Sequence, residues 1–151
     1  MEARVQEGLE GSLSVARYST TIESTLSPEA AYAYMADFTH ALEWDPSVTE
    51  ATRSGDAAFD LVATFGGRGV PLHYEIVGAE PPRSIVLEAR KPSFTSRDTI
   101  TVAPAPGGST VHYDARLEFK GVGRVFDPLM QLLFNRTGAK AAAGMRTALN
   151  P

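Results

Sequence analysis

From Ala16 to Thr25 and in the segments between Val48 and Lys120 apolar and polar residues tend to alternate with a period of two, and after Asp127 the period lengthens to three and four. Ala16 to Thr25 sets Tyr18, Thr20 and Ile22 against Arg17, Ser19 and Thr21, a strand with one wet face. Ser27-Pro28-Glu29-Ala30 then opens a helix, with a cap, a proline at the first position and an acid near the positive end of the dipole. Its apolar face is Ala31, Tyr34, Met35 and Phe38, and a second short helical stretch, His40 to Trp44, stops at Asp45-Pro46. Six more strands follow: Val48 to Arg53, Ala58 to Gly66, Val70 to Gly78, Ser84 to Arg90, Phe94 to Ala103 and Thr110 to Lys120. Turns at Ser54-Gly55-Asp56, Gly67 to Gly69, Pro81-Pro82 and Pro104 to Gly108 divide them. The last strand alternates most cleanly, with Val111, Tyr113, Ala115, Leu117 and Phe119 on one face. One covered and one wet face is the pattern of an antiparallel sheet.

Asp127 to Leu149 predicts one long helix, with Asp127 as N-cap and Pro128 at the first helical position. Leu129, Met130, Leu133, Phe134, Thr137, Ala141, Met145 and Ala148 form its apolar side, and Gln131, Asn135, Arg136, Lys140 and Arg146 lie mostly opposite. At about 1.5 Å per residue it spans about 33 Å, the length of a strand of about ten residues. A sheet of seven strands curls, and such a helix fits its concave side. The small residues Gly138, Ala139, Ala141, Ala142, Ala143 and Gly144 predict a helix that covers the sheet without filling the space beneath it. The fold class expected is α+β, a curved seven-stranded antiparallel sheet wrapped around a long C-terminal helix, with two short helices between the first two strands.

The 151 residues, 43% hydrophobic and 21% charged, suit one domain, residues 15–151, behind a polar arm at 1–14. A net charge of -4 and the lack of a basic run argue against nucleic acid as a partner. The absence of cysteine removes disulfides, thiol catalysis and thiolate metal sites. The first fifteen residues lack an apolar block, and no run of about 18 apolar residues occurs, so the expectation is a cytoplasmic protein without a transmembrane segment, monomer or homodimer.

Three separated segments carry a resemblance: LSPEAAYAYMADFTHALEWDPSV, YEIVGAEPPRSIVLEA and DTITVAPAPGGSTVHYDARLEFKG. Together they resemble the START-like or polyketide cyclase/dehydrase-like superfamily (SRPBCC), which includes the birch-pollen-allergen fold. The resemblance implies the helix-grip architecture and an internal cavity. It leaves function open, because that superfamily holds lipid carriers, aromatase/cyclases, hormone receptors and proteins without known activity.

The inward faces converge on Phe59, Leu61, Phe65, Leu72, Tyr74, Ile76, Leu87, Phe94, Ile100, Tyr113, Leu117, Phe119, Met130, Phe134 and Met145, with Trp44 near the mouth of the sheet. These line a ligand cavity or constitute the core. Asp98 counts inward with Ser96 and Phe94, where a desolvated carboxyl with a raised pKa could meet a ligand hydroxyl or enol. The alternative is an Asp98 near the strand end, paired with Arg97, Arg90 or a backbone N–H. Tyr74 and Tyr113 are candidate phenol donors to a ligand carbonyl or to a protein partner. Trp44 either closes over a ligand or anchors the helix pair. His40, His73 and His112 make no metal constellation, so no metal and no cofactor is expected. Gly66-Gly67-Arg68-Gly69 joins two strands and lacks the helix N-terminus of a phosphate loop, so it reads as a hairpin turn beside the cavity entrance. Two readings remain: a carrier or sensor of a small hydrophobic ligand (lipid, polyketide-like or aromatic), or a metal-free cyclase or dehydratase using Asp98 with Tyr74 or Tyr113.

Overall fold

The computed structural model describes residues 15–120 and 128–151. The expected arm and the Asp127 cap lie outside these residues. Chain order is β1 (Val15–Ser24), α1 (Pro28–Ala36), a 3-10 turn (Phe38–His40), α2 (Ala41–Trp44), β2 (Val48–Gly55), β3 (Ala58–Phe65), β4 (Arg68–Glu80), β5 (Ser84–Arg90), β6 (Phe94–Ala105), β7 (Gly108–Phe119) and α3 (Pro128–Ala148). The strands form one sheet in the order β1-β7-β6-β5-β4-β3-β2, every neighbouring pair antiparallel. The architecture is the one expected: a seven-stranded antiparallel sheet gripping a C-terminal helix, with two short helices after β1.

Local chemistry explains the boundaries. Ser27 caps α1 by accepting from the Ala30 N–H at 3.1 Å, and Pro28 takes the first helical position. The β3–β4 turn needs Gly66 and Gly67 at φ 62° and 81°, conformations that L side chains rarely adopt. Register shifts after Val48 and Arg53 in β2 and at Ile76 in β4 are bulges that bend the sheet.

Helix α3 is fastened to the edge strand β1 by two amide side chains. Gln131 accepts from the Arg17 N–H at 3.1 Å and donates to the Arg17 carbonyl at 2.9 Å. At the far end Asn150 accepts from Thr25 N–H at 3.0 Å and donates to Glu23 O at 2.9 Å. Each amide satisfies edge groups as another strand would.

The small residues of α3 do a different job from the one expected. A Cβ on Gly138 would lie 2.4 Å from the Tyr18 ring, and one on Gly144 would lie 2.1 Å from the Trp44 carbonyl oxygen. Ala141, Ala142 and Met145 are buried beside them. The middle of the helix is therefore in close contact, against Tyr18 and the end of α2, and hollows nothing out. The apolar side also needs correction: Leu129 and Leu133 are 57% and 36% exposed, as is Leu132 at 50%.

The core lies on the concave side, built from Ile22, Phe38, Trp44, Phe59, Leu87, Ile100, Val111 and Met145 among others. The opposite face carries charge. There Glu88, though only 4% exposed at its side chain, is bound by Arg97 and by Arg90, whose Nη2 lies 2.6 Å away. Burial pushes the Glu88 carboxyl up, but the two guanidiniums outweigh it and leave the pKa lowered. No helix among the described residues is long and apolar enough to cross a membrane.

Candidate functional site

A cavity of about 150 Å3 opens between the sheet, α2 and the N-terminal half of α3. Its walls are apolar: Leu61, Phe65 and Leu72 from β3 and β4, Phe94 from β6, Leu117 and Phe119 from β7, and Phe134 from α3. The space is therefore not packed solid by aromatic side chains. It sits under Phe134 and Thr137, not under the small-residue stretch. That volume is on the order of a cavity that takes a benzene ring.

The polar residues of the lining are Asp98, Tyr113, Tyr74, Ser96, Asp45 and Ser47, with Thr64 and Thr137. Period-two alternation in β6 turns Phe94, Ser96 and Asp98 inward while Arg97 turns to Glu88. The Tyr113 hydroxyl donates to Asp98 Oδ2 at 2.5 Å, and Tyr74 Oη lies 2.9 Å from Ser96 Oγ. Asp98 thus takes neither of the two arginines considered as partners for a residue near a strand end. Arg90 and Arg97 are engaged by Glu88 on the other face, and Asp98 lies well inside β6.

Burial raises the Asp98 pKa to about 7; the Tyr113 bond opposes the rise, and the charges of Asp45 and Asp114 add to it. Burial, followed by the Asp98 charge, holds both Tyr74 and Tyr113 well above the usual phenol range, so each remains a proton donor. Asp45 is also raised by burial, against two bonds its Oδ1 accepts from Ser47, from N–H at 2.9 Å and from Oγ at 2.8 Å. Among the described residues that line the cavity, the charged ones are Asp45 and Asp98.

Trp44 packs edge-on against Phe38 and Tyr113, with ring centroids 6.0 and 5.6 Å away, and its carbonyl lies under Gly144. It anchors α2 and lines the cavity at once. Its indole Nε1 is buried with no hydrogen-bond partner among the described residues.

Of the residues expected to line a cavity, Trp44, Leu61, Phe65, Leu72, Tyr74, Phe94, Tyr113, Leu117, Phe119 and Phe134 do so. Phe59, Leu87, Ile100 and Met145 are fully buried in the core instead, Ile76 packs against that core, and Met130 is not part of the lining. The sequence reading missed Phe38, Asp45, Ser47 and Thr64. For Asp45 a signal existed: an aspartate two residues before a serine forms this local turn, and the turn fixes Oδ1 outward to Ser47.

The histidines are scattered. His40 Nδ1 lies 2.8 Å from the Tyr34 carbonyl, while exposed His73 pairs with Asp60 at 2.6 Å. Among the described residues no cluster of His, Asp and Glu suited to a metal is present. Phe65 and Val70, on either side of the Gly66–Gly67 turn, both line the cavity.

A concave antiparallel sheet closed by a C-terminal helix over an apolar cavity defines a helix-grip, hydrophobic-ligand-binding fold. The chain belongs to the family described as polyketide cyclase/dehydrase and lipid transport, which it matches over residues 15–150. Among solved structures it is similar to a START superfamily protein from Mycobacterium smegmatis, with a TM-score of 0.68, 14% identity, and 90% of this chain and 97% of that one covered. It is similar also to the Zhui aromatase/cyclase from a Streptomyces species, with a TM-score of 0.70, 8% identity, and 89% and 93% covered. The di-domain aromatase/cyclase StfQ of steffimycin biosynthesis gives a TM-score of 0.70 and 16% identity over 97% of this chain and 53% of that one. No curated sequence matches the chain. At these identities the structures speak for the fold alone.

Proposed function

We propose that this protein binds a small hydrophobic molecule, with one ring seated in the cavity, as a carrier or sensor. The observation that carries the reading is a mostly apolar chamber that also holds two buried hydrogen-bonded pairs, Asp98–Tyr113 and Tyr74–Ser96. Apolar walls supply burial worth about 25 cal/mol per Å2, and a few convergent polar groups set orientation. Native mass spectrometry of freshly purified protein tests it. A bound small molecule is expected, displaced in an Ala115→Met variant whose longer side chain fills the lining. No bound molecule, and no uptake of a hydrophobic probe, would end the proposal.

One feature favours a second reading, cyclase or dehydratase chemistry, the first of which is named for Zhui and StfQ. A carboxyl with a pKa near 7 beside a protonated phenol is suited to general acid–base work at neutral pH. In that reading Asp98 moves the proton, Tyr113 and Tyr74 hold the substrate oxygens, and the cavity supplies orientation. The volume favours binding over this alternative, because a folded polyketide chain is larger than one ring. Asp98→Asn separates them: turnover lost with binding kept indicates the enzyme.

A further inference from the structure

We propose that the outer face of the sheet, away from the cavity, carries a binding site for a phosphate group, held by Arg17, Arg116 and Arg97. The strand register sets Arg116 on β7 opposite Arg17 on β1 and also opposite Arg97 on β6. Tyr113, Ala115, Leu117 and Phe119 line the cavity, so Asp114, Arg116 and Glu118 between them face outward. Opposite residues of paired strands stand about 5 Å apart at Cβ, and like charges there are destabilising. Two such pairs share Arg116. The flanking members are compensated: Arg17 holds Asp114 through Nε at 2.8 Å, and Arg97 holds Glu88, which also binds Arg90. Arg116 makes no ion pair among the described residues, and its Nε is buried with no hydrogen-bond partner.

A buried donor left unpaired is costly, and here it belongs to a cation standing between two others. Both costs have one remedy, an anion placed over Arg116. A guanidinium is a planar fork that matches phosphate oxygens two at a time, and such charge-assisted bonds are about twice as strong as neutral ones. A phosphate monoester offers three free oxygens and close to two negative charges, one oxygen for each guanidinium of the row. A carboxylate offers two oxygens and a single charge, so it serves the row less well. The row is open to a ligand, the Arg17 and Arg97 side chains being 58% and 52% exposed. Glu118 is exposed on the same face two residues along β7; it repels an anion and weakens the site without pairing with Arg116. The sheet separates this site from the cavity, so its occupancy does not depend on what the cavity binds.

The test is NMR of the arginine Nε–Hε signals of the full chain at pH 8, titrated with inorganic phosphate and, at matched ionic strength, with chloride and acetate. Phosphate is expected to shift the Arg116 signal saturably, with an affinity at least about tenfold above that of either monoanion. Arg116→Gln should weaken phosphate binding by about tenfold or more, and Glu118→Gln should strengthen it. Equal responses to phosphate and chloride would mean screening alone and overturn the site. So would an Arg116→Gln variant that binds phosphate as the parent does. Should that variant fail to fold, the order of the three anions on the unaltered protein still decides. Sedimentation with vesicles of phosphatidylcholine, with and without phosphatidate, distinguishes the sources once phosphate binds. Pelleting with phosphatidate places the phosphate on a lipid, and its absence places it on a soluble molecule.

Discussion

Tyr113 on β7 donates its phenol proton to the Asp98 carboxylate on β6 across 2.5 Å, and both side chains are buried. The register sets Tyr113 opposite Ile100 and Asp98 opposite Ala115, so the two meet as diagonal neighbours on the concave face. The bond favours the ionised acid, while burial disfavours it more strongly.

Asp98 makes the protein less stable as pH rises, the reverse of the common carboxylate behaviour. Its pKa goes from 3.8 unfolded to about 7 folded, so between those values the folded state holds a proton that the unfolded state has lost. Stability therefore falls across that window, by on the order of 4 kcal/mol if the whole shift is expressed. Asp98→Asn is expected to remove this slope, gaining stability over the parent at pH 8 but not at pH 4. Denaturant unfolding at both pH values checks it, and parallel curves for the two proteins would refute the account.

Glu88 behaves oppositely. Arg97 and Arg90 lower its pKa against the effect of burial, so its contribution is present above the ordinary value of 4.5 and lost as pH falls through the depressed folded value. Glu88→Gln should destabilise at pH 7 by about 2 kcal/mol, the range for hydrogen bonds to charged groups, and by much less at acid pH. Thermal melts of the two proteins at pH 7 and pH 3 measure the difference.

Glycine in a helix interior ordinarily costs about 1 kcal/mol relative to alanine, so Gly144→Ala would be expected to stabilise. Here the sign reverses. The new methyl would lie 2.1 Å from the Trp44 carbonyl oxygen, a backbone atom that moves only if α2 or α3 moves. A loss of about 2 kcal/mol or more is expected, within the range of overpacking. A raised melting temperature would show that the two helices are not so closely held.

Tyr113→Phe removes the 2.5 Å hydrogen bond to the Asp98 carboxylate. Because that bond lowers the Asp98 pKa, its loss should push the titration upward from about 7. Carboxyl-carbon NMR across pH 5 to pH 9 reads the change directly, and an unmoved or lowered midpoint would contradict the geometry.

The alternation of apolar and polar residues and the punctuation by glycine, proline and capping serine determined much of this protein from the sequence alone. Those signals are local, so Ser84–Arg90 emerged with the observed bounds and the seven-strand order of events was readable. The inward position of Asp98 was readable too, since counting by twos along β6 needs no partner strand. Its partner was not. Arg97 is its neighbour in sequence but lies on the other face, whereas Tyr113 is fifteen residues away and arrives only through the β6–β7 register. The division between cavity and core also escaped the sequence. Phe59 and Phe65 share one face of β3, yet only Phe65 reaches the space under Phe134. Where α3 lies decided that, and Gly138 and Gly144 set its position by contact with Tyr18 and Trp44. Such contacts join residues far apart in the chain, and nothing in the local pattern encodes how closely two packed elements approach.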